Sequence, residues 1–208
     1  MSSSEYPRDS PRPLQTVAVG NIVGTPLVGA MEWFLKRHGK AAGHELVNRL
    51  PPRWSGMLSP HAPNLGLLGA KKYPQNFMGD VLRGMVQAAH ITDEDLFIRD
   101  VATAGIDASV GTVARILLRL AATPQSLAAR GQEAWSLFYD SGRVRVEATD
   151  HEYLSTTTEW ANHDAMVCRV SMEVRRRLIE RTGVTILEVR RDRCVGWGHD
   201  ACVVRIRW

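Results

Sequence analysis

The chain has 208 residues, 44% of them hydrophobic and 23% charged, with a formal net charge of +4. That length suits one domain whose core can do without disulfide staples, and so modest a charge does not by itself point to nucleic acid, whose binders gather Lys and Arg on one face. Three cysteines make no short disulfide framework, no apolar run approaches the roughly 18 residues of a membrane span, and residues 1–13 lack the apolar stretch of a secretory signal, so the reducing cytoplasm is the expected compartment.

Residues 1–13 are rich in Ser, Pro and charge and are expected to form a disordered leader before a single domain over 14–208. Residues 16–24 are β-rich and bounded by glycine, which favours a strand. Thr25-Pro26 starts a helix that runs through Trp33 and Phe34 to a glycine stop at Gly39. A second short helix spans 41–50 and ends at Pro51-Pro52. Residues 51–70 are loop-like, and a helix over 75–90 aligns Phe77, Val81, Leu82 and Met85. Thr92 and the acids after it start a further helix, broken near Gly105 and Gly111, that reaches about 122. Thr123-Pro124 starts the next, which carries Leu127, Trp135, Phe138 and Tyr139.

From 143 the pattern alternates as in strands, with Val144 and Val146 set between Arg145 and Glu147. Asn162 is expected to cap a helix that Gly183 ends. Its apolar stripe holds Met166, Val167, Val170, Val174, Leu178 and Ile179, with Arg175, Arg176 and Arg177 on the opposite face. Two strands, 185–193 and 201–208, close the chain around a glycine-rich turn. This order predicts an α+β fold: a helical layer packed on a mostly antiparallel sheet that ends in a β-hairpin.

Cys194 and Cys202 flank that last turn, and Cys168 lies on the helix before it. Three thiolates and a fourth donor would make a structural zinc site. His199, inside the turn, is the expected fourth ligand, with Asp192 and the more distant His163 as alternatives. Zinc is the one cofactor that the residues suggest. The competing reading is three small buried hydrophobes, since no close Cys-x-x-Cys pair is present.

The end of the chain, Cys194-x7-Cys202 followed by Val203-Val-Arg-Ile-Arg-Trp208, resembles the tail of the 4-vinyl-reductase domain, which is related to the fold of TRAPP-complex subunits. The resemblance implies zinc held by the two hairpin cysteines, an upstream cysteine (here Cys168) and a carboxylate, whose position is taken by Arg191. It also implies an apolar ligand pocket between helices and sheet. Over most of its length the chain is similar to the myxobacterial paralogous family DUF2378. The matching stretches are the early Val-Gly-Asn-Ile-Val-Gly-Thr, Arg37-His-Gly39, Tyr139-Asp-Ser-Gly142 and Arg181-Thr-Gly183. That resemblance implies a fold and a bacterial source but no activity.

The chain lacks a phosphate-binding P-loop, a Gly-x-Ser-x-Gly elbow and a His-Glu-x-x-His motif. The seven histidines are dispersed. Heme bound through one of them, as in the heme–nitric-oxide domains, is set aside in favour of solvated or core histidines, because the Tyr-x-Ser-x-Arg propionate motif of that family is read as absent. The arginines between 169 and 193 are read as a solvated helix face with i,i+4 acid partners rather than a nucleic-acid surface. Trp33, Phe77, Trp135, Tyr139 and Trp160 are the aromatics that could line a pocket, against plain core packing. The expectation is a non-catalytic ligand-binding or sensor module for a small hydrophobic molecule, signalling through a protein partner or homodimer, with no role for nucleic acid or membrane. The alternative is a scaffold module that dimerises through its helical block.

Overall fold

The computed structural model describes residues 20–109 and 123–208. The expected leader, the start of the first strand and the helix break at Gly111 lie outside them. A three-residue strand β1 (Asn21–Val23) pairs antiparallel with β2 (Lys72–Pro74), with Ile22 opposite Tyr73. Between them α1 (Gly24–Arg49) runs as one helix with a break at Gly39, whose φ of 82° and ψ of 172° leave helical space. The sequence places two helices here, and the glycine does separate them, but without an intervening loop. The segment after α1 turns through two 3-10 turns.

α2 (Gln75–Ala88) and α3 (Glu94–Ser109) complete the first helical layer. Asp93 rather than Thr92 supplies the capping oxygen, accepting from Leu96 N at 2.9 Å. Gly105 lies buried within an unbroken α3, so no interruption occurs there. Thr123 starts α4 (Pro124–Ala129) with a reciprocal cap through Ser126, as its hydroxyl chemistry dictates. α5 (Gly131–Ser136) follows as a separate short helix.

The second sheet has the order β3 (Arg143–Ala148), β4 (Glu152–Thr158), β6 (Cys202–Arg207), β5 (Glu188–Arg193), antiparallel throughout. Its register sets Tyr153 opposite Ile206, Ser155 opposite Val204 and Thr157 opposite Cys202. These six residues are all buried on one face, as the two-residue period of a strand requires. α6 (Ala165–Glu180) packs against α3 and α2 and touches β6. Its cap is Asp164, two residues beyond the expected Asn162, and accepts from Met166 N and Val167 N. The fold is therefore α+β, with a helical layer on an antiparallel sheet and a closing hairpin.

Two apolar clusters hold it together. The larger joins α1, α2 and α3 to Trp135, Trp160 and the start of α6. The smaller joins Leu127, Tyr153, Ile179, Val204 and Ile206 over the sheet. The arginine run divides between them and solvent. Arg169 pairs with Glu94 and Asp95, Arg176 with Glu173 and Glu180, and Arg181 with Asp107. Arg175, expected on the exposed face, is instead 9% exposed and points inward. Among the described residues no helix is long and apolar enough to cross a membrane.

Candidate functional site

The seam between the two clusters is not filled. A cavity of about 100 Å³ lies there, walled by Ile22, Pro26 and Met78 from the first helical layer, Val101, Ala102 and Ile106 from α3, Leu127, Ala134, Trp135 and Tyr139 from the α4–α5 region, Val144 and Tyr153 from the sheet, and Val170, Ser171, Val174 and Arg175 from α6. Almost every element contributes, so anything bound here touches both layers at once.

The wall is apolar except at one side. There the Arg175 guanidinium donates to Ser171 Oγ at 2.7 Å, to Ser171 O at 3.2 Å and to Thr157 Oγ1 at 3.1 Å. No carboxylate pairs with it among the described residues. Tyr139 is half-buried, and burial pushes its phenol up to about 12. Burial raises the Tyr153 phenol as well. Both therefore remain protonated hydrogen-bond donors at neutral pH.

An aromatic path leads from this wall to a second site. Trp135 stacks on Tyr139 at 4.0 Å and meets Trp160 edge-on at 4.9 Å, and Trp160 meets His163 edge-on at 5.2 Å. His163 then joins Cys168, Cys194 and Cys202. One ligand atom from each of the four lies within 4.8 Å of all the others. Cys194 Sγ is 3.6 Å from His163 Nε2, and the sulfurs are 3.7 to 4.0 Å apart. All three cysteines are buried and free. Hydrogen bonding with Cys202, then His163 and Arg191, holds the Cys168 thiol far below its usual range, and the shared contact drives Cys202 up.

The structure thus brings Cys168, Cys194 and Cys202 together but not His199. The ring of His199 stays with the Cys194 backbone, its Nδ1 3.2 Å from Cys194 O. Asp192 lies away from the corner, paired with Arg190 and Arg205. The nitrogen that completes the set is His163, the candidate ranked as most distant, because the residues before α6 fold back under the last hairpin.

Of the five aromatics considered for a pocket, Trp135 and Tyr139 line the cavity. Phe77 is core between Tyr73 and Trp54, Trp33 packs on Phe97, and Trp160 bridges the two sites. Sequence reasoning missed Arg175, Ser171 and Tyr153. The signal was the helical spacing Cys168, Ser171, Arg175, Ile179, which marks one buried face and places the arginine on it.

No family model matches the chain, and no curated protein matches it. Solved structures do. An H-NOX protein from S. oneidensis in the Fe(II)NO ligation state aligns with a TM-score of 0.64 at 11% identity, over 88% of this chain and 97% of that one. The Fe(II) unliganded H-NOX protein from K. algicida aligns at 0.62 and 10%, over 89% and 95%. A structure from work on heme distortion in the H-NOX family aligns at 0.60 and 10%, over 89% and 94%. These likenesses correct the resemblance to 4-vinyl-reductase, TRAPP subunits and DUF2378, which rested on a hairpin and scattered turn residues that several folds share. They correct the cofactor expectation as well, since the structures that share this fold are described by heme and its iron, not by zinc or by no cofactor. The chain has the H-NOX fold.

Proposed function

We propose that this protein is a cytoplasmic, non-catalytic sensor module whose ligand enters the cavity between the two layers and whose signal passes to a protein partner. The observation that carries the reading is the composition of the wall. One small apolar space is lined by α3, α6, the α4–α5 region and the sheet together, so occupancy biases the packing of every layer. The likeness to H-NOX structures supports the reading at the level of fold.

Heme itself does not fit the residues present. No histidine or cysteine lines the cavity, and the residues outside the described ones contain neither. The chain does spell Tyr-x-Ser-x-Arg, at Tyr139, Ser141 and Arg143, and setting that pattern aside on sequence overlooked it. Its three residues nevertheless diverge. Tyr139 faces the cavity, Ser141 accepts from Gln75 Nε2 at 3.3 Å, and Arg143 is exposed against Glu159 at 3.0 Å. The two phenols in the wall are held protonated by burial, which opposes service as an axial phenolate. The space is also well short of the roughly 300 Å³ at which pockets for larger ligands begin.

The His163, Cys168, Cys194 and Cys202 corner is read as a structural metal-ion site that ties α6 to the last hairpin. An ion held tetrahedrally about 2.3 Å from each sulfur sets the sulfurs about 3.8 Å apart, which is the spacing present. Arg191, close to Cys168 and 4.2 Å over the Trp197 ring, offsets the negative charge of three thiolates.

Two measurements test this. Titrating hemin into the full chain is expected to give no stoichiometric Soret band, while a small apolar solute such as xenon raises Tm. A tight one-to-one heme spectrum, or no solute effect on Tm, overturns the cavity reading. Native mass spectrometry before and after chelation is expected to show one bound ion whose removal lowers Tm. An ion-free chain with unchanged melting overturns the corner.

A further inference from the structure

We infer that the ligand of the cavity is a small apolar carboxylate and that Arg175 is the group that receives it. The inference rests on the cavity being the ligand site and adds the ligand's charge and class.

An ionised guanidinium is costly to enclose unless an anion or a full set of acceptors meets it. Arg175 is nearly buried, and the groups that meet it are all neutral: Ser171 through two oxygens, Thr157 through one, and the Tyr153 hydroxyl. A guanidinium has five N–H donors, so part of its fork is left for a further acceptor. Other arginines of this helix show the contrast, since Arg169, Arg176, Arg177 and Arg181 each hold a carboxylate.

The other polar groups of the wall point the same way. The Tyr139 hydroxyl lies against Ser171 and the Tyr153 hydroxyl against Ser155 and Arg175, and among the described residues no Asp or Glu lines the cavity. The site is thus donor-rich and acid-free on one side and apolar elsewhere. That is complementary to a carboxylate head on a hydrocarbon body. Phosphate asks for more donors and offers nothing to the apolar wall. Size sets the rest. An apolar cavity of about 150 Å³ accepts benzene, so this smaller one of about 100 Å³ suits a carboxylate smaller than benzene, of about three carbons in all.

The test is calorimetry of the full chain at neutral pH with propanoate and with its neutral counterpart propan-1-ol. The carboxylate is expected to bind at least tenfold more tightly. Arg175→Met should abolish that preference, Arg175→Lys should keep part of it, and Ala134→Leu, which fills the cavity and leaves Arg175 in place, should weaken both ligands. Equal affinities, or an alcohol that binds better, overturn the carboxylate and leave the cavity as a neutral apolar site. Failure of both ligands to bind overturns the cavity reading along with it. A carboxylate preference unchanged in a folded Arg175→Met protein assigns the anion elsewhere and overturns the role of Arg175.

Discussion

The guanidinium of Arg175 lies 5.3 Å over the indole of Trp135. That contact joins α6 to α5 across the cavity. Arg175 shares α6 with Cys168, so the cavity wall and the cysteine corner are carried on one rigid element. The path Trp135, Trp160, His163 connects the same two places through side chains. A ligand that displaces either ring or guanidinium therefore acts on a helix whose other end is fixed at the corner.

The first prediction concerns Trp135. Its Nε1–H donates to Ser141 O at 2.7 Å, and its ring packs against Tyr139, Trp160 and Arg175. Trp135→Phe keeps an aromatic ring but loses the hydrogen bond and part of the cation–π contact, at a cost of about 1–3 kcal/mol. Trp135→Ala also leaves a hole beside an existing cavity, and should cost roughly 3–5 kcal/mol. Urea denaturation measures both. Equal losses for the two variants would mean that the ring's packing contributes nothing.

Asp80 should carry part of the acid sensitivity, beside Asp140, Glu152 and Asp192, which are also held below their ordinary values. Burial alone would raise its carboxyl, but hydrogen bonds from Arg83, Trp54 and Arg53 outweigh that and hold it below the ordinary 3.8. A carboxyl depressed in the folded state stabilises the fold above its unfolded value, and the contribution disappears as pH falls through the folded value. Stability is therefore expected to fall below about pH 4. Asp80→Asn should make the chain weaker at pH 7 and flatten that acid limb. Urea midpoints between pH 3 and pH 7 would show it, and parallel profiles for the two proteins would assign the acid response to other groups.

Much of this architecture was legible. Thr123-Pro124, the alternation at Val144 and Val146, and the turn between Cys194 and Cys202 each carry local chemistry that dictates a cap, a strand or a hairpin. What was not legible depends on chain reversal. His163 and Cys194 are 31 positions apart, and only the packing of α6 under β6 brings them together. Arg175 sits in a run of three arginines, and composition makes such a run look exposed. Its helical phase relative to Cys168 and Ser171 decides otherwise. The family resemblance failed because hairpin and turn motifs record local geometry, whereas the H-NOX likeness lies in the arrangement of whole elements at about one residue in ten identical.

Gly39 supplies a third prediction. Its φ of 82° and ψ of 172° fall in a region that essentially only glycine adopts. Nothing lies within 4 Å of where a Cβ would sit, so any cost of Gly39→Ala is conformational rather than steric. About 1–3 kcal/mol is expected, with cavity binding unchanged because no cavity residue follows the kink in α1. A neutral variant would mean that the two halves of α1 can join without the break.

Asp164 gives the last prediction. Its carboxylate caps α6 by accepting from Met166 N at 2.9 Å and Val167 N at 3.1 Å, and it also accepts from Arg83 Nη1 at 2.9 Å. It packs directly over Gly79 of α2, where an added Cβ would overlap its carboxylate. One side chain therefore sets where α6 begins and how closely α2 approaches it. Asp164→Ala removes the cap and the ion pair and should cost about 1–3 kcal/mol; the pair adds little because Arg83 is 42% exposed. Asp164→Asn retains the cap oxygen and should lose less than half as much. Gly79→Ala should reproduce the alanine defect without touching the carboxylate, by pushing it off the helix end. In each variant with a displaced cap, His163 next to Asp164 and Cys168 one turn into α6 lose their register. Ion retention at the corner should then fall in parallel with stability, and a variant that loses stability while holding its ion as tightly as the parent would separate the cap from the corner.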